Sequence, residues 1–384
     1  MMALAWGVPV FFVLSGFLLY RPFAAAIAAG SPRPEARGFL LRRAIRILPA
    51  YWIVLAVYGT LVAPGQLWSI DGLVRYGLLQ QVYQQSSVYH IVGTAWTLSI
   101  EAAFYLSLPL LAAAIARLLG ERPSLARHLA ILAGLAVGMA TIATLVLRPL
   151  FGAFGEDPGM AGFTLAGSFE PFAAGMALAI VHAHRSELRR LPVGARRAWL
   201  GAVRADRAWV AGAAAALAAG LVLETGDVAP WYSTHGATIG AGLLFVPLVF
   251  RPWGSRLARA LGHTRPLVAL GAISYGLYLW HWPIQEILRR HVLDVPSTML
   301  GWAVAVTIIG GLALVPAWLS LRFVERPLAI WVHERRQRHE GPVRRAVPAP
   351  ARSMGTSRAP ARVAPRAQTV VGQQPVRTRP VATS

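Results

Sequence analysis

The sequence predicts an all-α integral membrane protein, a polytopic helical bundle, from three observations. Of its 384 residues, 56% are hydrophobic and only 14% are charged, whereas soluble domains carry about 25% charged residues. Long charge-poor stretches alternate with short polar connections, and a membrane-spanning helix needs about 20 apolar residues. Cysteine is absent, which excludes disulfides, thiolate nucleophiles and cysteine-based metal sites. A disordered chain and a small secreted scaffold are therefore excluded.

Nine stretches are predicted to span the membrane, and their number disfavours the alternative of a large soluble helical protein. They are Ala3–Tyr20, Ile47–Val62, Ala95–Ala116, Leu129–Leu147, Gly162–Val181, Ala208–Leu223, Gly236–Phe250, Leu267–Leu288 and Leu300–Leu321. A further apolar segment, Gly72–Tyr89, is interrupted by Arg75 and by glutamines. We interpret it as a re-entrant or interfacial piece.

The basic residues indicate how the bundle is oriented. All 37 are arginines, and the net charge is +21. Only Arg75, Arg148, Arg289 and Arg290 fall in the connections on one side, and the other 33 fall on the opposite side with the C-terminus. Because cytoplasmic loops carry the arginine excess, the sequence predicts a bacterial-type plasma membrane protein with a cytoplasmic C-terminus. The charge records topology, so no nucleic acid partner is expected.

Two further expectations concern the ends of the chain. Nine spans with a cytoplasmic C-terminus would place Met1 outside, directly against the first span, so we expect one more helix before Met1 and ten spans in a complete chain. Residues 1–333 are predicted to form the membrane domain, and residues 334–384 an Arg/Pro-rich disordered cytoplasmic tail. Gly341–Ser384 has eight arginines, seven prolines and no acidic residue, a composition that cannot offset its ordering entropy. A solvated tail is favoured over an arm that binds RNA or anionic lipid.

Four ionisable residues, Glu101, Glu170, Glu286 and His281, lie within predicted spans. Each costs at least ~2.5 kcal/mol there unless it is paired or hydrated, so each is a candidate site residue. Glu101 lies about six residues, roughly 9 Å, inside the outer end of its span. The alternative for Glu101 is a structural pair with an arginine. The alternative for Glu170 is solvent access at a kink beside Pro171.

His281 stands among tryptophans and tyrosines, which also fits an aromatic belt at the membrane interface or a core histidine. Five residues turn a straight helix by about 140°, so His281 and Glu286 diverge and no acid–base dyad is predicted. Ser15 has no histidine near it in the sequence. For Ser15 we favour helix packing or a hydrogen bond across helices over a nucleophile.

Three arginines stand at the predicted cytoplasmic mouth of the second span. Arg43 and Arg46 are three residues apart and share one helical face. Arg42 lies beside them in the sequence. Two guanidinium groups on one face suit phosphate binding. From the spacing alone, positive-inside anchoring is the favoured alternative.

Five segments, in order, resemble the motifs of the membrane-bound acyltransferase 3 family. Residues 7–18 resemble its "F-F-V-L-S-G-F-L" segment, residues 39–52 its R-x-x-R stretch and residues 96–105 its "W-S-L-S-x-E-x-x-F-Y" block. Residues 274–284 resemble its "S-Y-x-x-Y-L-W-H-x-P" block and residues 324–328 its "E-x-P" element.

The resemblance implies acyl transfer, commonly of acetyl, from an acyl-CoA co-substrate to a hydroxyl of a carbohydrate, lipid or macrolide acceptor, with no bound cofactor or metal. Arg43 and Arg46, with help from Arg42, would hold the donor phosphates. Glu101 would orient a base or position the acceptor hydroxyl, because removal of the hydroxyl proton makes attack on the thioester feasible. His281 is the second candidate catalytic residue.

The chain also departs from the family pattern. The usual base is a histidine on a helix that precedes the first motif, and this chain starts too late to contain it. Pro9 stands where relatives often have an acidic residue, and Thr97 where they usually have serine. The chain as written is therefore expected to be inactive unless another residue, such as His281, replaces the base. The alternative function is a polytopic exporter or flippase of a surface-glycan precursor, which would not depend on acyl-CoA.

Overall fold

The computed structural model describes residues 7–225, 231–250, 255, 264–291 and 298–340. Residues 1–6, which include the start of the first predicted span, lie outside them. So do Arg251, Arg256 and Arg259 of the connection between the seventh and eighth predicted spans, and the predicted disordered segment Gly341–Ser384. The chain divides into two compact units, Met1–Arg336 and Gln337–Ser384. The helices up to Arg336 belong to the first unit. The predicted domain boundary at residue 333 stays a prediction.

The described residues are helical and contain no strand, which confirms the all-α fold class. Two π-helical turns, Ala143–Leu147 and Leu321–Glu325, continue α6 into α7 and α14 into α15. The α-helices are α1 Gly7–Ala28, α2 Ala36–Val62, α3 Pro64–Leu67, α4 Ile70–Gly77, α5 Trp96–Leu119, α6 Leu125–Ile142, α7 Arg148–Ala153, α8 Phe169–Ala183, α9 Arg185–Arg189, α10 Val193–Arg204, α11 Asp206–Thr225, α12 Trp231–Phe250, α13 Arg265–His291, α14 Met299–Ser320 and α15 Arg326–Glu340.

Five of the described helical stretches are long and apolar enough to cross a membrane: Gly7–Ala28, Ala36–Val62, Gly93–Leu119, Leu125–Ala153 and Leu300–Val332. Two shorter apolar helices accompany them. Large side chains on these stretches face outward; Leu61, Leu110 and Leu145 are each about 70% exposed (72%, 73% and 69%). Such surfaces suit contact with lipid tails. The protein is a multi-pass membrane protein, and the count of nine spans stays a prediction.

Within the described residues, each predicted span overlaps a helix, but the helices differ from the predicted spans at some ends. The first span was predicted to end at Tyr20, whereas α1 continues to Ala28. The fifth was predicted to begin at Gly162, whereas α8 begins at Phe169. Before Phe169, the hydroxyl of Thr164 donates to the carbonyl of Ala161 and that of Ser168 to the carbonyl of Gly162. Such side-chain bonds compete with helical hydrogen bonds and delay the start of the helix.

Helices α1 and α8 pack with their backbones in direct contact. A Cβ atom on Gly16 would lie 2.2 Å from the carbonyl oxygen of Phe172, and one on Gly175 would lie 2.0 Å from that of Val13. Small residues at such positions let two backbones approach within a membrane. The Phe172 ring then stacks on Phe12 of α1 at 4.5 Å and on Phe104 of α5 at 4.1 Å. These contacts bring α1, α5 and α8 together around one aromatic core.

The segment between α2 and α5 packs back against the middle of α2. The hydroxyl of Tyr51 donates to the carbonyl of Tyr76 at 2.6 Å, and the indole N–H of Trp52 donates to that of Gly77 at 2.9 Å. Tyr51 precedes the end of α2 by eleven residues, roughly 16 Å of helix. The helix in the segment predicted as re-entrant or interfacial, α4, has only 8 residues and is too short to cross a membrane. The segment lies against α2 before α5 begins.

We predict that Gly175→Ala will destabilise the protein. Its new methyl group would overlap the backbone of α1, which cannot move without separating the two helices, so a loss of about 1–3 kcal/mol is expected. Thermal unfolding of the purified protein in detergent measures it. Gly134→Ala is the matched control, because a Cβ there meets nothing within 4 Å. Equal melting temperatures for the two variants would contradict the close helix contact.

Candidate functional site

Glu101 is a buried carboxylate held by hydroxyl groups from two helices. Its side chain is 3% exposed. The hydroxyl of Ser15 on α1 donates to its Oε1 at 2.9 Å, and the hydroxyl of Tyr105, one turn further along α5, donates to the same oxygen. Within the described part of the chain, Oε2 accepts no hydrogen bond. The carboxylate is therefore fixed by one oxygen and free to act through the other. The hydrogen bond across helices expected for Ser15 is confirmed.

The positive charges of Arg43 and Arg46 act on the Glu101 carboxylate from a distance, and neither arginine forms an ion pair with it among the described residues. Arg46, which is exposed, also acts at a distance on a second carboxylate, that of Glu325 in the turn Leu321–Glu325. Arg42 is exposed as well, and its charge acts on Arg43.

Arg43 carries a buried hydrogen-bond donor without an acceptor. Its Nε has no hydrogen-bond partner in the described structure. Buried polar atoms in proteins are almost always paired, because leaving a charged donor unpaired costs several kcal/mol. An unpaired guanidinium donor beside a fixed carboxylate is an arrangement that an oxyanion or a carbonyl oxygen of a ligand would complete.

The sequence placed Glu101 inside the outer end of its span and the arginines at the mouth of the second span. In the structure, a Cβ atom on Gly59, near the end of α2, would lie 3.2 Å from the side chain of Ile91, so α5 begins close to that end of α2. Glu101 lies five residues into α5. Its depth in the membrane stays a prediction.

Helix α13 contributes tyrosines to this region. The hydroxyl of Tyr275 donates to the carbonyl of Ile47 at 2.7 Å, which fixes α13 against α2 directly after Arg46. The hydroxyl of Tyr278 donates to the carbonyl of Thr94 at 2.8 Å and bonds the hydroxyl of Thr97 at 2.5 Å. The charge of Glu101 acts on the hydroxyl groups of both tyrosines. The tyrosines of the fourth motif thus border the Glu101 site.

His281 is not joined to Glu101 in the described structure. Its Nδ1 lies 3.3 Å from the carbonyl oxygen of Leu277 in its own helix, and its ring lies 5.6 Å from that of Tyr278. Glu286 instead pairs with Arg289 and Arg290, each at 2.7 Å, so the two residues have different partners. Glu170 pairs with His235 of α12.

Sequence reasoning missed two contributors to the site. Tyr105 follows Glu101 by four residues, the spacing that puts two side chains on one helical face, so it was detectable. Glu325 is separated from Arg46 by most of the chain, and no local pattern connects them. The described residues contain no group of three histidine, aspartate or glutamate side chains placed to hold a metal ion. The groove that the α1–α2 connection forms with Pro109 of α5 contains none of the predicted site residues.

Comparison with known proteins gives a consistent result. Residues 2–322 match the model of a family described as an acyltransferase domain. Nodulation protein 10 of Rhizobium leguminosarum bv. viciae is 27% identical over 345 residues, 84% of this chain and 81% of that protein. The peptidoglycan O-acetyltransferase OatA of Listeria monocytogenes is 26% identical over 341 residues, 84% of this chain and 51% of OatA. The chain thus spans about half the length of OatA. No solved structure matches it.

We predict that Tyr105→Phe will destabilise the protein by about 1.5–3 kcal/mol, because it removes a hydrogen bond to a buried carboxylate. The measurement is thermal unfolding in detergent at neutral pH. Tyr83→Phe serves as the control, since Tyr83 is half exposed, at 48%. The geometry around Glu101 would be wrong if both variants unfolded at the wild-type temperature.

Proposed function

Because the chain belongs to the acyltransferase 3 family of membrane acyltransferases, we propose that it transfers an acetyl group from acetyl-CoA to a hydroxyl of a cell-surface glycan. The donor would bind from the cytoplasmic side of a bacterial plasma membrane. The observation that carries the proposal is the pair of arginines, Arg43 with its unpaired Nε and Arg46, beside the fixed carboxylate of Glu101.

The donor, the acceptor and the orientation each have separate support. Guanidinium forks bind phosphate groups well, which suits the nucleotide end of acyl-CoA. The name of OatA states that it O-acetylates peptidoglycan, which supports a glycan acceptor here. The arginine-rich connections on one side of the spans favour a cytoplasmic C-terminus and a cytoplasmic entry for the donor.

The proposed chemistry is attack of an acceptor hydroxyl oxygen on the thioester carbonyl carbon. A C–O bond forms, the C–S bond breaks, and the hydroxyl proton ends on the departing thiolate, which leaves as free coenzyme A thiol. In this scheme Glu101 accepts a hydrogen bond from the acceptor hydroxyl, or from the base that takes its proton, through Oε2. Ser15 and Tyr105 hold Oε1, so the carboxylate keeps its orientation during the reaction.

The two arginines and His281 have separate parts. Arg43 and Arg46 bind donor phosphate or carbonyl oxygens, with Arg42 as an outer contact at the mouth of α2. His281 is the remaining candidate base within the chain. It would have to approach the hydroxyl from α13, since it does not contact Glu101 in the structure described above.

Arg43→Ala and Arg46→Ala are each expected to raise the KM for acetyl-CoA by about 10- to 100-fold, because each removes a charge-assisted hydrogen bond. The assay is acceptor-dependent release of coenzyme A thiol by the full chain in lipid nanodiscs, with a peptidoglycan fragment as acceptor. Arg122→Ala, at an exposed arginine of the α5–α6 connection, should keep the wild-type KM. An unchanged donor KM in both site variants would exclude the arginines from donor binding.

Glu101→Gln is expected to lower kcat by about 100-fold or more with a smaller change in donor KM, because the amide cannot take over the role of a carboxylate in proton transfer. The same thiol-release assay measures it, with Glu121→Gln at an exposed turn as the control. Full turnover by Glu101→Gln would remove Glu101 from the mechanism. Movement of the glycan across the membrane without acetyl-CoA would instead support an exporter.

A further inference from the structure

A groove of about 510 Å³ opens between the connection from α1 to α2 and the middle of α5. The residues that line it include Phe23 of α1, Arg33 and Pro34 of the connection, and Pro109 and Ala113 of α5. Pockets that bind small molecules typically enclose roughly 300–1,000 Å³, so the groove is large enough for part of a substrate. None of these residues has a part in the transfer chemistry proposed above.

The groove adjoins the Glu101 site through α5 and through one aromatic contact. On α5, Pro109 follows Tyr105 by one turn, so the two side chains share a face. The ring of Phe23 packs edge-on against Phe39 of α2 at 5.5 Å between centroids, and Phe39 packs in the same way against Tyr105 at 6.5 Å. Tyr105 in turn donates to Glu101. The groove therefore lies one helical turn beyond a residue that holds the carboxylate.

The connection that forms one wall of the groove has a restricted backbone. Gly30 adopts a φ of +61°, the left-handed conformation that caps a helix C-terminus, and the backbone N–H of Ser31 donates to a carbonyl in the last turn of α1 at 2.9 Å. Pro32 and Pro34 then flank Arg33, and a proline restricts both itself and the residue before it. The wall therefore has little backbone freedom to lose when a ligand binds.

The segment beside the groove is positively charged. Residues 30–43 contain four arginines and one acidic residue, Glu35. Arg33 and Arg42 are exposed, and neither forms an ion pair within the described part of the chain. A Cβ atom on Gly38 would lie 3.3 Å from Nη1 of Arg42 and 3.5 Å from Oε2 of Glu35, so both head groups lie over the first turn of α2. The excess of arginine favours an anionic ligand in the groove.

The distance from Glu101 to the groove suits the arm of an acyl-CoA. Pro109 follows Glu101 by eight residues, about 12 Å along α5, and Ala113 lies about 6 Å further on. In acyl-CoA, about twelve bonds join the thioester sulfur to the pyrophosphate, as many as in about four extended residues, which reach roughly 13–14 Å. A thioester placed at Glu101 therefore puts the pyrophosphate level with Pro109 and the adenosine beyond it, toward Ala113.

The free end of acyl-CoA also matches the chemistry of the groove. It carries a pyrophosphate, a flat adenine base and a 3′-phosphate, and a phosphate monoester has a charge of about −1.5 to −2 at pH 7. An arginine can pair with a phosphate group through two parallel hydrogen bonds, and Arg33 stands in the groove wall. Pro109, Leu110 and Ala113 form an apolar strip of α5 along the groove, against which the base can lie.

We propose that the groove binds the nucleotide end of the acyl-CoA donor, with Arg33 paired to a phosphate group and the adenine against Pro109 and Ala113. The identity of the ligand rests on the proposed acetyl transfer, whereas the groove and its charge do not. Arg43 follows Phe39 by one turn of α2, so its unpaired Nε remains available for a carbonyl oxygen of the arm.

Two donors that differ in their nucleotide end test the assignment. For acetyl-CoA, Arg33→Ala is expected to lower kcat/KM at least about tenfold, because a charge-assisted pair with phosphate is lost. For S-acetylpantetheine, which ends before the pyrophosphate, the same variant should keep the wild-type kcat/KM. The assay is thiol release by the full chain in lipid nanodiscs. Arg122→Ala, which does not line the groove, should match the wild type with both donors. An equal loss with both donors, or no loss with acetyl-CoA, would overturn the assignment.

The groove can also be filled without a change of charge, and nucleotide binding can be measured without turnover. Ala113→Phe places a ring in the groove, whereas Ala114→Phe places one on the next residue, which is exposed and does not line the groove. Adenosine 3′,5′-bisphosphate, which has neither arm nor thioester, should bind the wild type and Ala114→Phe alike. Ala113→Phe and Arg33→Ala should each bind it at least about tenfold more weakly. Microscale thermophoresis in nanodiscs measures these affinities.

The outcomes separate the groove from the proposed function. If nucleotide binding responds to the groove variants but no acetyl transfer is found, the groove assignment stands and the proposed function fails. If acetyl transfer is found but Arg33→Ala and Ala113→Phe bind the nucleotide as the wild type does, the function stands and the groove assignment fails.

A lipid headgroup is the competing occupant of the groove. Nanodiscs of phosphatidylcholine alone, and with added phosphatidylglycerol, distinguish the two ligands. Nucleotide binding of equal affinity in both nanodiscs supports the proposal. Absence of nucleotide binding in both, together with phosphatidylglycerol that copurifies with the wild type and not with Arg33→Ala, would place a lipid headgroup in the groove and overturn the proposal.

Discussion

Glu101 places a carboxylate inside an apolar helical bundle, and polar or charged groups from other helices have to compensate it. An ionised Glu101 inside a membrane domain costs at least ~2.5 kcal/mol unless it is compensated. The compensation comes from hydroxyl groups of Ser15 and Tyr105 and from the charges of Arg43 and Arg46. These groups come from α1, α2 and α5, so stabilising one charge requires three helices to meet. The same groups leave Oε2 of Glu101 and Nε of Arg43 available for a ligand.

Glycines on α1 and α8 make this meeting sterically possible. With Gly16 against the backbone of Phe172, α1 lies deep enough for the short side chain of Ser15 to reach Glu101. In the first motif, Gly16 thus permits the close approach of α1 to α8, and Ser15 beside it forms the hydrogen bond to Glu101.

The sequence predicted the helices well, because a long apolar stretch in a membrane can satisfy its backbone hydrogen bonds in few ways other than a helix. It also predicted that Arg43 and Arg46 share one helical face. Tyr105 was within reach of helical periodicity. The bond from Ser15 to Glu101 joins residues 86 positions apart, and the one from Tyr20 to His128 joins residues 108 apart. Neither follows from a local pattern.

Helix α1 carries two polar anchors of different character, one at Ser15 and one at Tyr20. Ser15 bonds Oε1 of Glu101, whose other carboxylate oxygen accepts no hydrogen bond within the described residues. Tyr20 bonds His128, and the other ring nitrogen of His128 bonds His184. An open site gains its last partner from a ligand, whereas a satisfied chain resists displacement. Ser15 therefore bonds a group that a ligand can complete, and Tyr20 holds the same helix through His128. A helix held in this way can present Ser15 to Glu101 with a fixed position while the donor and acceptor enter and leave.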